Sequence, residues 1–268
     1  MGFMKHNIVD NVAFSNKLRH VNPKLKVIFA LSLLLISVFS TSFIVPLIIF
    51  FINSILLLFK AKVPKKIYAV FVGIPLGFGI LNLVIFAFLF GTVEWFKINV
   101  FGFEIPVYKD GIELGLLLFG RMLGGVSSML FLAFTTPMVE LFYIFRELKM
   151  PDVLVDMMML IYRYIFVLYE EYEKMKFAQE SRLGTSNLKS TYKSLGALAA
   201  HLFIRAWEKG EKLNITMMSR CYDGKIKLLQ TIENPSIKYI LFIAIFDIFL
   251  IILAYLTKDF TLTSYIKI

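Results

Sequence analysis

Apolar stretches of bilayer length recur along this chain, separated by short charged segments. Val27 to Ser40 and Phe43 to Phe59 are two of them, parted by an uncharged turn at Thr41-Ser42 with Pro46 just beyond. Tyr68 to Gly91 is a third, loosened by Gly73, Pro75, Gly77 and Gly79. Gly111 to Thr136 and Ile237 to Leu256 complete the series. A helix crossing the ~30 Å hydrocarbon core needs about 20 such residues. Helix-loosening residues are tolerated there when neighbours re-satisfy the freed backbone groups. The pattern predicts an all-α membrane protein with about five transmembrane helices. The mixed stretch Thr92 to Asp110 reads as a loop.

Residues 137–236 break the pattern, because charges of both signs run through them. Asp152, after Pro151, is placed to cap a helix running to Ser181, about 45 Å long at 1.5 Å per residue. Its apolar centre is interrupted by Arg163 and is too short to span. A second helix is predicted from Tyr192 to Arg220, with Leu195, Leu198, Leu202, Ala206, Leu213 and Met217 on one stripe. Met138 to Lys149 reads as a short amphipathic helix near the interface. The expected organisation is an N-terminal segment 1–26, four spans over 27–136, a two-helix domain over 137–236, and a last span with its tail over 237–268.

Charge adds an orientation. Lys5, Lys17, Arg19, Lys24 and Lys26 face only Asp10 before the first span, and Lys60, Lys62, Lys65 and Lys66 have no acid among them. The loop 92–110 is net acidic. The excess of Lys and Arg therefore places the N-terminal segment, the Lys60–Lys66 loop and residues 137–236 in the cytoplasm, in a multi-pass protein of the cell membrane. Composition agrees: 58% of residues are hydrophobic and 28 are Phe, more apolar surface than a soluble domain of this size hides. The net charge of +10 suits an anionic inner leaflet and the lipid bilayer as partner, and not nucleic acid. The one cysteine, Cys221, excludes an internal disulfide framework, and the first 25 residues lack a secretory signal.

The most informative local feature is an ending that occurs twice. The first long helix closes on Ser181-Arg182-Leu183-Gly184, the second on Ser219-Arg220-Cys221-Tyr222-Asp223-Gly224. Each single ending has a local explanation: a cation suits the negative end of a helix dipole, and Gly suits the left-handed cap that follows. Two such endings suggest docking surfaces. A small residue admits a close partner, and the guanidinium forks onto a carboxylate there.

These endings resemble the small-Arg-Gly signatures of the transmembrane (T) components of energy-coupling factor transporters, most closely the CbiQ family of cobalt importers. Arg220 to Gly224 is similar to that family's Arg-Gly-aromatic-x-Gly pattern, with Cys221 in place of the first Gly. Leu183 likewise stands where the wider family often has Gly. Asn22-Pro23-Lys24, Thr135-Thr136-Pro137 and the stretch from Arg163 to Glu173 extend the likeness over nearly the whole chain. The resemblance implies a coupling subunit. Its two long helices dock through Arg182 and Arg220 onto ATP-binding cassette subunits, with Ser181, Gly184, Ser219 and Gly224 completing the tips. The membrane part grips a separate substrate-binding membrane subunit. Cobalt is the implied cargo; nickel or a vitamin is the alternative within the same family.

No G-x-x-x-x-G-K-[ST] phosphate loop is present, so ATP hydrolysis is expected in a partner and the chain is not expected to be an enzyme. His6, His20 and His201 have no ligand-like spacing, and Met157-Met158-Met159 face different ways on a helix. Neither a cofactor nor a metal site of this chain's own is expected. The rival class is a membrane-embedded lipid or prenyl transferase. It would need converging acids or a His/Ser base, whereas the acids of 137–236 interleave with Lys and Arg. Two charges fall deep inside predicted spans, Arg121 and Asp247. A lone charge there costs at least ~2.5–3.5 kcal/mol, so a structural Arg121–Asp247 pair is the simplest expectation. The competing readings are Arg121 snorkelling outward and Asp247 protonated against a backbone carbonyl.

Overall fold

The computed structural model describes residues 8–91, 94–100, 103–224, 226 and 235–257. The chain divides into two compact units: residues 139–231, and residues 7–138 together with 232–268. The N-terminal residues 1–7, most of 225–234 and the tail from 258 onward lie outside the described residues.

The larger unit begins with α1 (Ile8–Ser15) and a short 3-10 turn, Lys17–His20. Then α2 (Pro23–Phe39) starts on a well-made cap: Asn22 accepts from the Lys24 N–H at 3.0 Å, with Pro23 in the first turn. α3 (Ile44–Ile55) runs into a π-turn, Leu56–Lys60, and α4 (Lys65–Leu89) carries Pro75 in its interior. The stretch read as a loop contains an antiparallel hairpin, β1 (Glu94–Val100) and β2 (Phe103–Tyr108), with Ile98 opposite Ile105 and Pro106 opposite Lys97. α5 (Lys109–Thr135) and α9 (Ile237–Leu256) close the unit.

α5 is the central post, packing on α2, α3 and α4. Small residues let it do so. A Cβ on Gly124 would lie 2.8 Å from the Pro46 carbonyl oxygen, so only glycine admits α3 this closely. Beside it, buried Asn53 donates to Ser127 Oγ (3.2 Å) and Ser128 Oγ (3.1 Å), and both serines donate to the Gly124 carbonyl. Such interhelical bonds in a membrane contribute roughly 0.6 kcal/mol each. α9 packs instead on α2 and α3, through Leu250 against Leu33, Val45 and Ile49. Its remaining face, with Ile245, Phe249 and Ile252, is exposed, as a lipid-facing helix requires.

α4, α5 and α9 are each long and apolar enough to cross a membrane. The helix from Ile44 to Lys60 is apolar but shorter, and α2 has 17 residues. Apart from the β1–β2 hairpin the described elements are helical, and the protein is a multi-pass membrane protein of the all-α class.

The smaller unit holds α6 (Met138–Glu147), α7 (Asp152–Ser181) and α8 (Leu188–Met218). α7 has the predicted extent, but Pro151 is its N-cap. Asp152 sits in the first turn, 3.5 Å from Arg146 Nε. α8 begins four residues before the expected Tyr192, because Asn187 caps it by accepting from the Ser190 N–H at 2.8 Å. Glu171 of α7 clamps the two long helices together, taking Arg205 Nη1 at 2.5 Å and Lys209 Nζ at 3.2 Å from α8. The Lys209 hydrogen bond holds its carboxyl below the ordinary glutamate range, against the opposing effect of its desolvation.

Candidate functional site: two arginine tips

The two endings seen in the sequence close with the same backbone geometry. After α7, the Arg182 N–H donates to the Gln179 carbonyl (3.1 Å), Leu183 to Glu180 (3.0 Å) and Gly184 to Gln179 (2.9 Å). After α8, Arg220 donates to Met217 (3.1 Å), Cys221 to Met218 (3.0 Å) and Tyr222 to Met217 (3.1 Å). This is the Schellman arrangement, which consumes carbonyls that would otherwise lack partners at a helix end. The serines fold back on their own helices: Ser181 Oγ donates to the Phe177 carbonyl and Ser219 Oγ to that of Thr216. Arg182 and Arg220 are exposed. Among the described residues no carboxylate lies within ion-pair distance of either.

The left-handed position is not held by glycine at either tip. Leu183 (φ 57°) and Cys221 (φ 56°) occupy it. Gly184 serves close approach instead: a Cβ there would lie 2.6 Å from Ser194 Oγ and 2.9 Å from the Gln179 carbonyl oxygen. Gly224 is left-handed (φ 87°) but lies beyond the cap.

What secures the chain beyond each arginine differs. At the first tip the Gly184 carbonyl accepts from Ser190 Oγ and Ser194 Oγ, both at 2.9 Å, and Gln179 Nε2 donates to the Ser194 carbonyl at 2.9 Å. At the second tip the anchor is Asp156, which is 2% exposed. Its Oδ2 accepts from Tyr222 OH (3.0 Å) and the Ile226 N–H (2.8 Å), and its Oδ1 pairs with Arg146 Nη2. Arg146 Nη1 completes the ring by donating to the Ile226 carbonyl at 2.8 Å. Desolvation, then the Asp156 hydrogen bond, push the Tyr222 hydroxyl above the ordinary tyrosine value, which keeps it a donor.

Sequence reasoning passed over Asp156, Arg146 and Tyr222 as a set. The bonds from Tyr222 and Ile226 to Asp156 cross 66 and 70 residues, a separation no local period encodes. The one available signal was an acid opening the apolar centre of α7.

The expected intramembrane pair does not form. Arg121 Nε donates to the Ser40 carbonyl at 2.9 Å, at the C-terminal end of α2, where a helix presents its negative pole. Asp247 lies beside Ser32. The reason is in the packing: α9 seats on α2 and α3, so Asp247 faces α2 and Arg121 reaches along the bundle to the end of that same helix. Among the described residues no group of three His, Cys, Asp or Glu is arranged to hold a metal ion.

Comparison with known proteins places these tips in a family. The profile of the cobalt transport protein family CbiQ matches residues 14–232. A putative fused cobalt transport protein, CbiMQ, of Methanocorpusculum labreanum is 38% identical over 226 residues, covering 83% of this chain. The chain spans only 37% of that fused relative's length. The cobalt transport protein CbiQ of Salmonella typhimurium is 23% identical, over 82% of this chain and 99% of its own. The energy-coupling factor transporter transmembrane protein EcfT of Staphylococcus aureus is 26% identical, over 78% of this chain and 80% of its own. With most of its length inside one family profile and both arginine tips within the matched span, the chain belongs to the CbiQ cobalt transport family.

Proposed function

We propose that this chain is the transmembrane coupling subunit of an ATP-driven importer of the energy-coupling type, with cobalt as cargo. Residues 137–236 act as the coupling domain on the cytoplasmic side, together with residues 1–26 and the Lys60–Lys66 loop. Arg182 and Arg220 dock onto ATP-binding cassette subunits, whose ATP-driven motion moves α7 and α8 as levers. Residues 27–136 and 237–268 form the membrane part, which grips a separate substrate-binding membrane subunit. The observation that carries this reading is the pair of matching tips, each offering an exposed guanidinium that makes no ion pair among the described residues. The absence of a phosphate loop from the sequence is consistent with hydrolysis in the partners. The relatives named as cobalt transport proteins support the cargo.

The test is recruitment of cassette subunits by the full chain in nanodiscs. A charge-assisted contact contributes about 1.5–3 kcal/mol, so Arg182→Ala and Arg220→Ala should each weaken binding roughly 10- to 100-fold. The double variant should abolish recruitment while remaining in the membrane. Lysine at either position should rescue poorly, because it lacks the planar fork. Undiminished recruitment and cobalt uptake by the double variant would refute the assignment.

A further inference from the structure

The second tip holds more than Arg220. An open cleft of about 500 Å3 lies between α7 and α8 beside it, bordered by Leu160, Arg163, Met217, Arg220, Tyr222 and Ile226. Arg163 belongs to the middle of α7 and Arg220 to the end of α8, yet both line this one volume. Among the described residues neither guanidinium has a carboxylate within ion-pair distance. Asp223 shares the rim, so the described lining residues carry a surplus of one positive charge. Two arginines set against one carboxylate on a shared lining leave an attraction for a further anion. The apolar wall of Leu160 and Met217 strengthens that attraction by displacing water.

The cleft is also held in shape. Tyr222 and Ile226, which form one side of it, are both bonded to buried Asp156, and Arg146 ties Ile226 a second time. A wall fixed in this way removes the ordering cost that a flexible loop would charge against binding.

We propose that this cleft receives one acidic side chain of the cassette subunit, gripped jointly by Arg163 and Arg220. Two planar forks suit a carboxylate, and the cleft is continuous with the residue already assigned to docking. The inference rests on the docking reading above and adds Arg163 as a partner-binding residue that the repeated ending does not contain.

The experiment is a thermodynamic cycle on cassette binding by the full chain in nanodiscs. Arg163→Gln should weaken binding about 10-fold, and Arg163→Lys less. Two guanidiniums on one carboxylate are coupled, so Arg163→Gln with Arg220→Ala should lose clearly less than the product of the single losses. The loss from Arg163→Gln should multiply in full with that from Arg182→Ala, which lies at the other tip. Amide exchange across α7 and α8 should match the wild type in every variant, because Arg163 is exposed and glutamine is a good helix former. Wild-type binding by Arg163→Gln, or a full product of losses with Arg220→Ala, overturns this inference alone. Wild-type binding by Arg220→Ala and Arg182→Ala overturns the docking reading and this inference with it.

Discussion

The tips after α7 and α8 share their closing hydrogen bonds, their exposed arginine and a non-glycine residue in left-handed conformation. Beyond the arginine they part. The first is secured by hydroxyls and an amide, through the Ser190, Ser194 and Gln179 bonds, all within 15 residues of sequence. The second is secured by an ion, since Asp156 is buried beneath it and its neutral partners come from 66 and 70 residues away. A local neutral lock can form as soon as α8 starts, and it loses little when one bond is removed. A buried carboxylate works only when its whole ring of partners is present. Its removal leaves Arg146 only the longer Asp152 contact and strands a hydroxyl and a backbone N–H together. The same outward geometry therefore rests on supports of very different fragility.

Removing the ionic support should have the largest effect. Asp156→Ala leaves the Arg146 guanidinium without its buried partner, and breaking such pairs costs about 3–5 kcal/mol. Hydrogen exchange on the full chain in detergent should show residues 220–226 losing protection while 182–186 keep theirs. Equal loss at both tips would mean that Asp156 supports the domain as a whole. Asp156→Asn should lie between, because it keeps an acceptor for Tyr222 or Ile226 but gives up the charge.

At the first tip the corresponding weak point is steric. Gly184→Ala would drive a methyl to within 2.6 Å of Ser194 Oγ, a hydroxyl already committed to the Gly184 carbonyl. Overpacking of this kind costs about 1–3 kcal/mol. The loss of exchange protection should now be confined to 182–194 and spare 220–226, the mirror of the Asp156 result. Retained protection at Ser194 would show that the close approach is dispensable.

The legibility of the molecule in its sequence follows the same division between local and distant. α7 was readable to its last residue, because Pro151 and the serine-arginine ending bracket it. Three long apolar helices, α4, α5 and α9, were readable from apolar length alone. The start of α8 was missed because the Asn187 cap lies within a polar turn that shows no period. The hairpin of 94–108 was hidden by its mixed composition, and β pairing leaves a weak mark over so few residues. The arginine tips were visible as a repeat. Their supports were not: Asp156 to Tyr222 is a contact in space only, and so is the seating of α9 on α2 that separates Asp247 from Arg121. Economy of charge suggested that the two groups should meet, but the end of α2 offers Arg121 a nearer acceptor in the Ser40 carbonyl.

The feature the tips share gives the smallest and most discriminating test. A side chain in left-handed conformation crowds the following carbonyl, at roughly 1–2 kcal/mol for an ordinary residue. Glycine removes that crowding but has more freedom to lose on folding, roughly 0.5–1 kcal/mol. Leu183→Gly and Cys221→Gly should therefore each stabilise their tip by about 0.5 kcal/mol, seen as slower exchange at Gly184 and at Tyr222 respectively. Both side chains are exposed, so no packing is forfeited to confuse the sign. If the caps are equivalent and only the supports differ, the two substitutions should give the same gain. That gain should survive at Leu183 in an Asp156→Ala background and disappear at Cys221, where the cap no longer has a fixed wall beyond it. Unequal gains in the wild-type background would show that the supports already distort the caps, and that the two tips differ in backbone as well as in anchoring.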